Sequence, residues 1–395
     1  MPGAESEIEK LMPEILEISS RIYNLAELGS AEVRSSQLLS DFLKKEGFTV
    51  EKPYAGMKTA FRATINRGGP SVGFLAEYDA LPNGHSCGHN LISAWAVASA
   101  VLLSRLSGNI SVTVLGTPSE EGIGEYAGSK AIIAEKGYAD GVDMYFGFHP
   151  DDRWGVGSGA LADLTLELEF KGKEAHGADS PEQGVNALDA AVSSYVAINS
   201  LRGWAKNDRH LVIGMIITEG GRATNVIPDR AVLQVEIRST SSGFVKIFAE
   251  KVEKSARSIA EAYGAGLTCR KITPLYRDYL PNMRLDSIIY DELRKMGITP
   301  YNAHNSDYIP SGSTDEANIS WVAPTGHIDM PIGYRGISGH TEEFRLAAEP
   351  SKNAENLKLA ILATVMSALN ASKHIPDIRD EFNVQRKRRG ELQGD

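Results

Sequence analysis

The chain has 395 residues, more than one hydrophobic core usually serves, so two domains are expected. Its 42% hydrophobic and 23% charged residues are ordinary for a globular protein, and a formal charge of -10 excludes the basic footprint of a non-specific nucleic-acid binder. Cys87 and Cys269 cannot build a disulfide framework, the N-terminus lacks a signal-peptide pattern and no apolar run is long enough for a bilayer; a cytoplasmic protein with no membrane partner is expected.

Residues from about 5 to 47 read as two helices: Ile8, Leu11, Met12, Ile15, Leu16, Ile18 and Ile22 recur near helical spacing, and Leu38, Leu39, Phe42 and Leu43 repeat the signature. Strands over Val72–Ala76, Val112–Leu115 and Met144–Phe148 then alternate with helices over Leu91–Leu106 and Tyr126–Glu135. That is the rhythm of an α/β domain with a largely parallel sheet covered on both faces, whose ligands belong beyond the carboxyl ends of the strands.

From about residue 162 the pattern changes. Leu164 to Phe170 alternates strictly, and is followed by a helix (about Gly184–Leu201), strands Leu211–Ile217 and Ala231–Ile237, a helix (about Ser242–Tyr263) and a strand Leu267–Ile272. This βαββαβ order predicts an inserted α+β domain of ferredoxin-like type. After about 275 longer helices return, and Leu357, Leu359, Ala360, Leu362, Ala363, Val365 and Met366 line a final buried one. The expected division is a larger domain from residues 1–161 and 275–395, interrupted by a lid of 162–274. Exposed strand edges in that lid favour pairing with a second copy, a homodimer or higher homo-oligomer. The run Arg386-Lys387-Arg388-Arg389 reads as a solvated end.

Chemistry gathers after the first domain's strands. Glu77 and Asp79 follow the strand Val72–Ala76, and Cys87-Gly88-His89 comes soon after. Acids at a strand end beside a Cys-x-His pair read as the start of a metal site; the alternative is a core cysteine beside an incidental histidine. Glu120 and Glu121 follow the strand Val112–Leu115, His149 follows Met144–Phe148, and His340 lies in a loop before the last helix. Each signal alone is weak. Together they place Cys87, His89, Glu120, Glu121, His149 and His340 at one rim of one sheet.

These blocks resemble the M20 metallopeptidase and amidohydrolase family, in the branch that has Cys-Gly-His where other members use Asp. They are Ala-Glu-Tyr-Asp-Ala-Leu-Pro (76–82), Cys-Gly-His-Asn (87–90), Pro-Ser-Glu-Glu (118–121), Gly-Lys-Glu-Ala-His (172–176), Asn-Val-Ile-Pro-Asp (225–229), Gly-Ser-Thr-Asp (312–315) and Gly-His-Thr (339–341). The resemblance implies a zinc-peptidase-like catalytic domain that holds two divalent ions (Mn, Zn or Co) in each copy of the chain. Cys87 would be the bridging thiolate, with His89, Glu121, His149 and His340 as the other ligands. It also implies Glu120 as the general base acting on a metal-bridging water, and His176 of the lid as the donor to a developing oxyanion. Asp79 would orient a ligand, a strand-end cap being the alternative for it. Asn225 and Arg238 would grip a substrate carboxylate, helped by backbone donors at Ser311, Gly312 and Ser313. A surface strand residue and a plain Gly/Ser turn are the alternatives there.

The chain departs from the family pattern at Tyr23 to Leu28, at Gly177 after His176, and at His304 and Asp307. Their aromatic and imidazole groups, His304 among them, would favour a flat aromatic substrate. The leading expectation is hydrolysis of the amide C–N bond of a small N-acyl or aminoacyl conjugate or a dipeptide, a substrate carrying a carboxylate. The alternatives are hydrolytic deamination of an aromatic amine such as an aminobenzoate at the same site, and a non-catalytic ligand-binding relative.

Overall fold

The computed structural model describes residues 2–205, 210–304, 310 and 312–393. Two compact units emerge. The larger spans Met1–Gly159, Tyr279–Ile309 and Thr314–Arg388, and the smaller is Ala160–Asp278 with two short stretches, Pro310–Ser313 and Arg389–Asp395.

In the larger unit the apolar periodicity at the N-terminus becomes the helices Pro2–Leu25 and Val33–Lys45, with Ile8, Ile15 and Ile22 turned fully into the core. An eight-stranded sheet forms its centre. From one edge its strands are Thr49–Glu51, Phe61–Ile65, Ser111–Gly116, Ser71–Ala76, Met144–Asp151, Thr325–Pro331, Gly155–Val156 and Tyr301–Asn302. The middle four run parallel, as continuous apolar runs require. Beyond them the sheet is mixed, because Phe61–Ile65 adds antiparallel to Ser111–Gly116. Gly116 makes room for that addition: a Cβ there would stand 2.1 Å from the Phe61 ring.

The helix His89–Leu106 lies across the sheet, and its small and apolar residues are buried all round. Trp95 stacks on Phe148 at 5.0 Å, meets Phe74 edge-on at 5.9 Å and donates its indole N–H to Thr364 Oγ1. A sequence reading of residues past 275 as mainly helical misses the strand Thr325–Pro331. Pairing with Met144–Asp151, not a local pattern, makes it a strand.

The smaller unit has the βαββαβ order: Ala162–Lys171, helix Ala187–Ser200, Val212–Glu219, Arg230–Ser239, helix Ser242–Ala262 and Gly266–Lys271. Its four-stranded sheet is antiparallel throughout, with Ala162–Lys171 and Arg230–Ser239 central and Val212–Glu219 at one edge. Strict alternation of burial along Ala162–Lys171 puts Leu164, Leu166, Leu168 and Phe170 on the face covered by the two helices.

Candidate metal centre

The donors converge because of where the sheet ends. Ser71–Ala76 delivers Glu77 and Asp79, and the chain then turns through Gly88 (φ 77°) into the helix that starts at His89. That left-handed conformation, with Pro150 only 2.8 Å from where a Cβ would be, admits glycine alone. It lets Cys87 and His89, two residues apart, face one space. Glu120 and Glu121 sit on a turn after Ser111–Gly116, opened by Ser119 in the left-handed region (φ 59°). His149 lies within the strand Met144–Asp151, beyond the expected end at Phe148, because pairing with Thr325–Pro331 carries the ladder past it. His340 (φ 64°) ties its backbone N–H to Ser86 O, and its side chain is the most exposed of the set at 58%.

Among the described residues, three trios bring potential ligand atoms within 4.8 Å of one another: Cys87, His89 and His149; Cys87, Glu121 and His340; and Glu77, His89 and Glu120. Cys87 belongs to the first two. Its Sγ is 3.3 Å from His149 Nε2, and Glu121 Oε1 is 3.3 Å from His340 Nε2 and 3.8 Å from His89 Nε2. Burial pushes the Cys87 thiol up, but His149 and His89 outweigh it and bring the thiol down to about 6, so the thiolate is the neutral-pH form.

The surrounding hydrogen bonds leave the right nitrogens free. Asp79 accepts from His89 Nδ1 at 2.9 Å with one oxygen and from the Glu121 backbone N–H at 3.1 Å with the other. His149 Nδ1 is committed to Pro150 O at 2.7 Å. His89 Nε2 and Glu121 Oε1 are buried with no hydrogen-bond partner. Both lie among the converging donors, where a bound cation would satisfy them. A thiolate, three imidazoles and a carboxylate form a donor set that suits Zn, Mn or Co, and the residues present fit such ions.

Glu120 is held differently from its neighbour. Its Oε1 accepts from Thr314 Oγ1 at 2.8 Å, while Oε2 faces His89 Nε2 at 3.9 Å. Burial, then the charge of Glu77, pushes its carboxyl well above the usual range, with Lys130 opposing.

Residues expected to act on substrate lie in the smaller unit. His176 is exposed on the short strand Ala175–His176, and its Nδ1 accepts from the backbone N–H groups of Ala178 (3.3 Å) and Asp179 (3.1 Å), which puts the proton on Nε2. Asn225 is exposed, and its carbonyl accepts from Gly177 N. Arg238, the penultimate residue of the strand Arg230–Ser239, has its guanidinium 3.3 Å from Asp163 and 2.7 Å from Glu236. Gly312 O accepts from Leu161 N, and Ser313 Oγ is buried without a partner. Ser311 and Asp307 lie outside the described residues.

His304, in the larger unit, departs from the sequence expectation of a substrate contact. Its Nε2 is 2.6 Å from the buried Asp286 and its side chain is only 10% exposed, because Gly157 leaves a space that the imidazole fills.

Sequence reasoning also missed Lys130, and noted Glu77, Thr314 and Asp315 without giving them a role. Lys130 was the one visible signal, a lone charge in the small and apolar run Ala127 to Ile133. It missed a further buried row as well: His327 is held between Glu316 (2.8 Å) and Asp329 (3.2 Å), and Tyr279 donates to Glu316.

Comparison with known proteins identifies the family. Residues 163–264 match the M20 peptidase dimerisation domain. The mouse (Mus musculus) Xaa-Arg dipeptidase is 32% identical over 97% of this chain and 92% of its own length. The chain belongs to the M20 family. One of the two chains of the Escherichia coli p-aminobenzoyl-glutamate hydrolase is 29% identical to this M20 chain, covering 73% of it and 63% of its own length. In fold, the M20 chain resembles a Bacillus subtilis dinuclear metal-binding M20 peptidase, with a TM-score of 0.61 and 19% identity over 89% of this chain and 98% of that one. It is a hydrolase, as its relatives are, and the non-catalytic alternative is set aside.

Proposed function

We propose that the protein hydrolyses the amide C–N bond of a small aminoacyl or N-acyl conjugate carrying a free carboxylate, with a dipeptide as the first choice. The observation that carries this reading is the pair of ligand trios sharing Cys87, with Glu120 beside them and excluded from both. Cys87, His89, Glu121, His149 and His340 would hold two divalent ions, Mn, Zn or Co. When bound, such ions polarise a carbonyl and lower the pKa of water.

The chain's own groups do the rest. Thr314 fixes one oxygen of Glu120, leaving the other to take the proton of the attacking water. Its raised affinity for that proton suits a group that must then pass it to the leaving nitrogen. Asp79 holds His89 and the Glu121 backbone in place together. His176, whose Nδ1 is taken by two backbone N–H groups, would donate from Nε2 to the oxyanion. Asn225, Arg238, Gly312 and Ser313 would receive the substrate carboxylate, which at Arg238 must compete with Asp163 and Glu236.

Full-length likeness to an Xaa-Arg dipeptidase favours a dipeptide over an aromatic conjugate. No observation favours the deaminase alternative. We also place the protein in the cytoplasm as a homodimer. Both described cysteines are free thiols, the family match is a dimerisation domain, and no helix among the described residues is long and apolar enough to cross a membrane.

The test is an assay with Mn or Zn across Xaa-Arg dipeptides, acyl amino acids, aminobenzoyl-glutamate and aminobenzoates. Amide cleavage is expected, and Glu120→Gln should lower kcat by about 10²–10⁴-fold with metal content unchanged. Full activity in that variant, or ammonia released from an aminobenzoate with every amide intact, would overturn the reading.

A further inference from the structure

Glu77 emerges from the end of the strand Ser71–Ala76 with its carboxylate almost wholly buried. Its Oε1 is 3.0 Å from Lys130 Nζ, and that ammonium, fully shut off from water, also pairs with Asp315. The Asp315 carboxylate is fixed in turn by the Lys130 backbone N–H at 2.9 Å. One buried cation therefore faces two buried carboxylates. Uncompensated buried charge is costly, and this group is one positive charge short.

The other oxygen of Glu77 points to where that charge belongs. Oε2 is 3.6 Å from His89 Nε2, too far for a hydrogen bond. His89 is 1% exposed, its Nδ1 is committed to Asp79, and Nε2 is left without a partner. Glu77, His89 and Glu120 converge there, and His89 is shared with the trio of Cys87 and His149.

We propose that Glu77 is a further ligand of the metal centre, completing the set of Cys87, His89 and His149, and that Lys130 is the positioning residue that holds it. This rests on reading the cluster as a metal centre. One thiolate, two imidazoles and one carboxylate make a closed four-donor set of the kind that holds an ion firmly. Cys87, Glu121 and His340 stay a three-donor set, which keeps a position open for water or substrate. The two sites thus differ in task.

The experiment is titration of chelator-treated protein with Zn²⁺ and with Co²⁺, reading bound metal by mass spectrometry, affinity by competition and the Co²⁺ visible spectrum. The native chain should bind two ions. Glu77→Gln should keep one and bind the other at least tenfold more weakly, with a changed Co²⁺ absorption at that site. Glu77→Asp should fall between, and Lys130→Met should weaken the same site. A folded Glu77→Gln protein with two unaltered sites overturns the proposal, and so does one that loses affinity with an unchanged Co²⁺ spectrum, since Glu77 would then act only through His89. A native chain that binds neither ion would instead defeat the metal-centre reading on which the proposal rests.

Discussion

At the scale of single residues, buried charge is what shapes this protein's centre. Glu32 is fully buried and accepts from the Ser119 backbone N–H at 2.9 Å, so it braces the turn that presents Glu120 and Glu121. Burial, then the charge of Asp79, raises its carboxyl from 4.5 to about 7. An acid held above its unfolded value prefers the protonated form when folded. Its ionisation therefore costs nothing below pH 4.5, costs increasingly between 4.5 and 7, and costs in full above 7. Glu32→Gln should accordingly melt higher than the native chain at pH 8, by on the order of 3 kcal/mol at most, and the gap should close toward pH 4.5. Equal melting curves at pH 8 would show that Glu32 is not strained by its burial. The same scale separates Glu120 from Glu121. Adjacent in sequence, they meet different partners, Thr314 for one and His340 for the other.

At the scale of elements, the sheet's glycines set how close its cover can come. Gly73, central in Ser71–Ala76, pairs in register with Tyr145, and a Cβ there would lie 2.3 Å from the Tyr145 ring. That ring is fully buried and its hydroxyl is tied to Ala139 O, so it cannot step aside. Gly73→Ala should cost about 1–3 kcal/mol, seen as a lower denaturation midpoint with an unchanged slope. A loss under about 0.5 kcal/mol would mean the strand shifts freely, contrary to a core packed this closely. The elements themselves were largely readable from periodicity: the N-terminal helices, the parallel strands and the βαββαβ unit leave local patterns of burial. The strand Thr325–Pro331 did not, and neither did the pairing of Phe61–Ile65, because both depend on neighbours distant in the chain.

At the scale of the whole molecule, the smaller unit carries apolar surface that invites a partner. Val192, Tyr195 and Val196 are exposed on the helix Ala187–Ser200, and Val212, Ile216 and Ile217 on the edge strand Val212–Glu219. Exposed side chains at helical spacing, beside an uncovered sheet edge, are what a self-pairing surface requires. In the proposed homodimer this face would be the contact, and Val196→Asp should shift that dimer to monomer in light scattering after size exclusion. A native chain that elutes as a monomer at micromolar concentration would remove the homodimer from the account.

Spacing and residue type were enough to gather Cys87, His89, Glu120, Glu121, His149 and His340 at one sheet rim, since strand ends and short loops are local features. They were also enough to name the family. Which groups complete the centre was decided by packing. Lys130 on Glu77 and Asp315, and Thr314 on Glu120, are contacts between residues far apart in the chain. Such contacts follow from strand register and helix placement, which fix where a buried charge must find its counterpart, and no stretch of sequence encodes that alone.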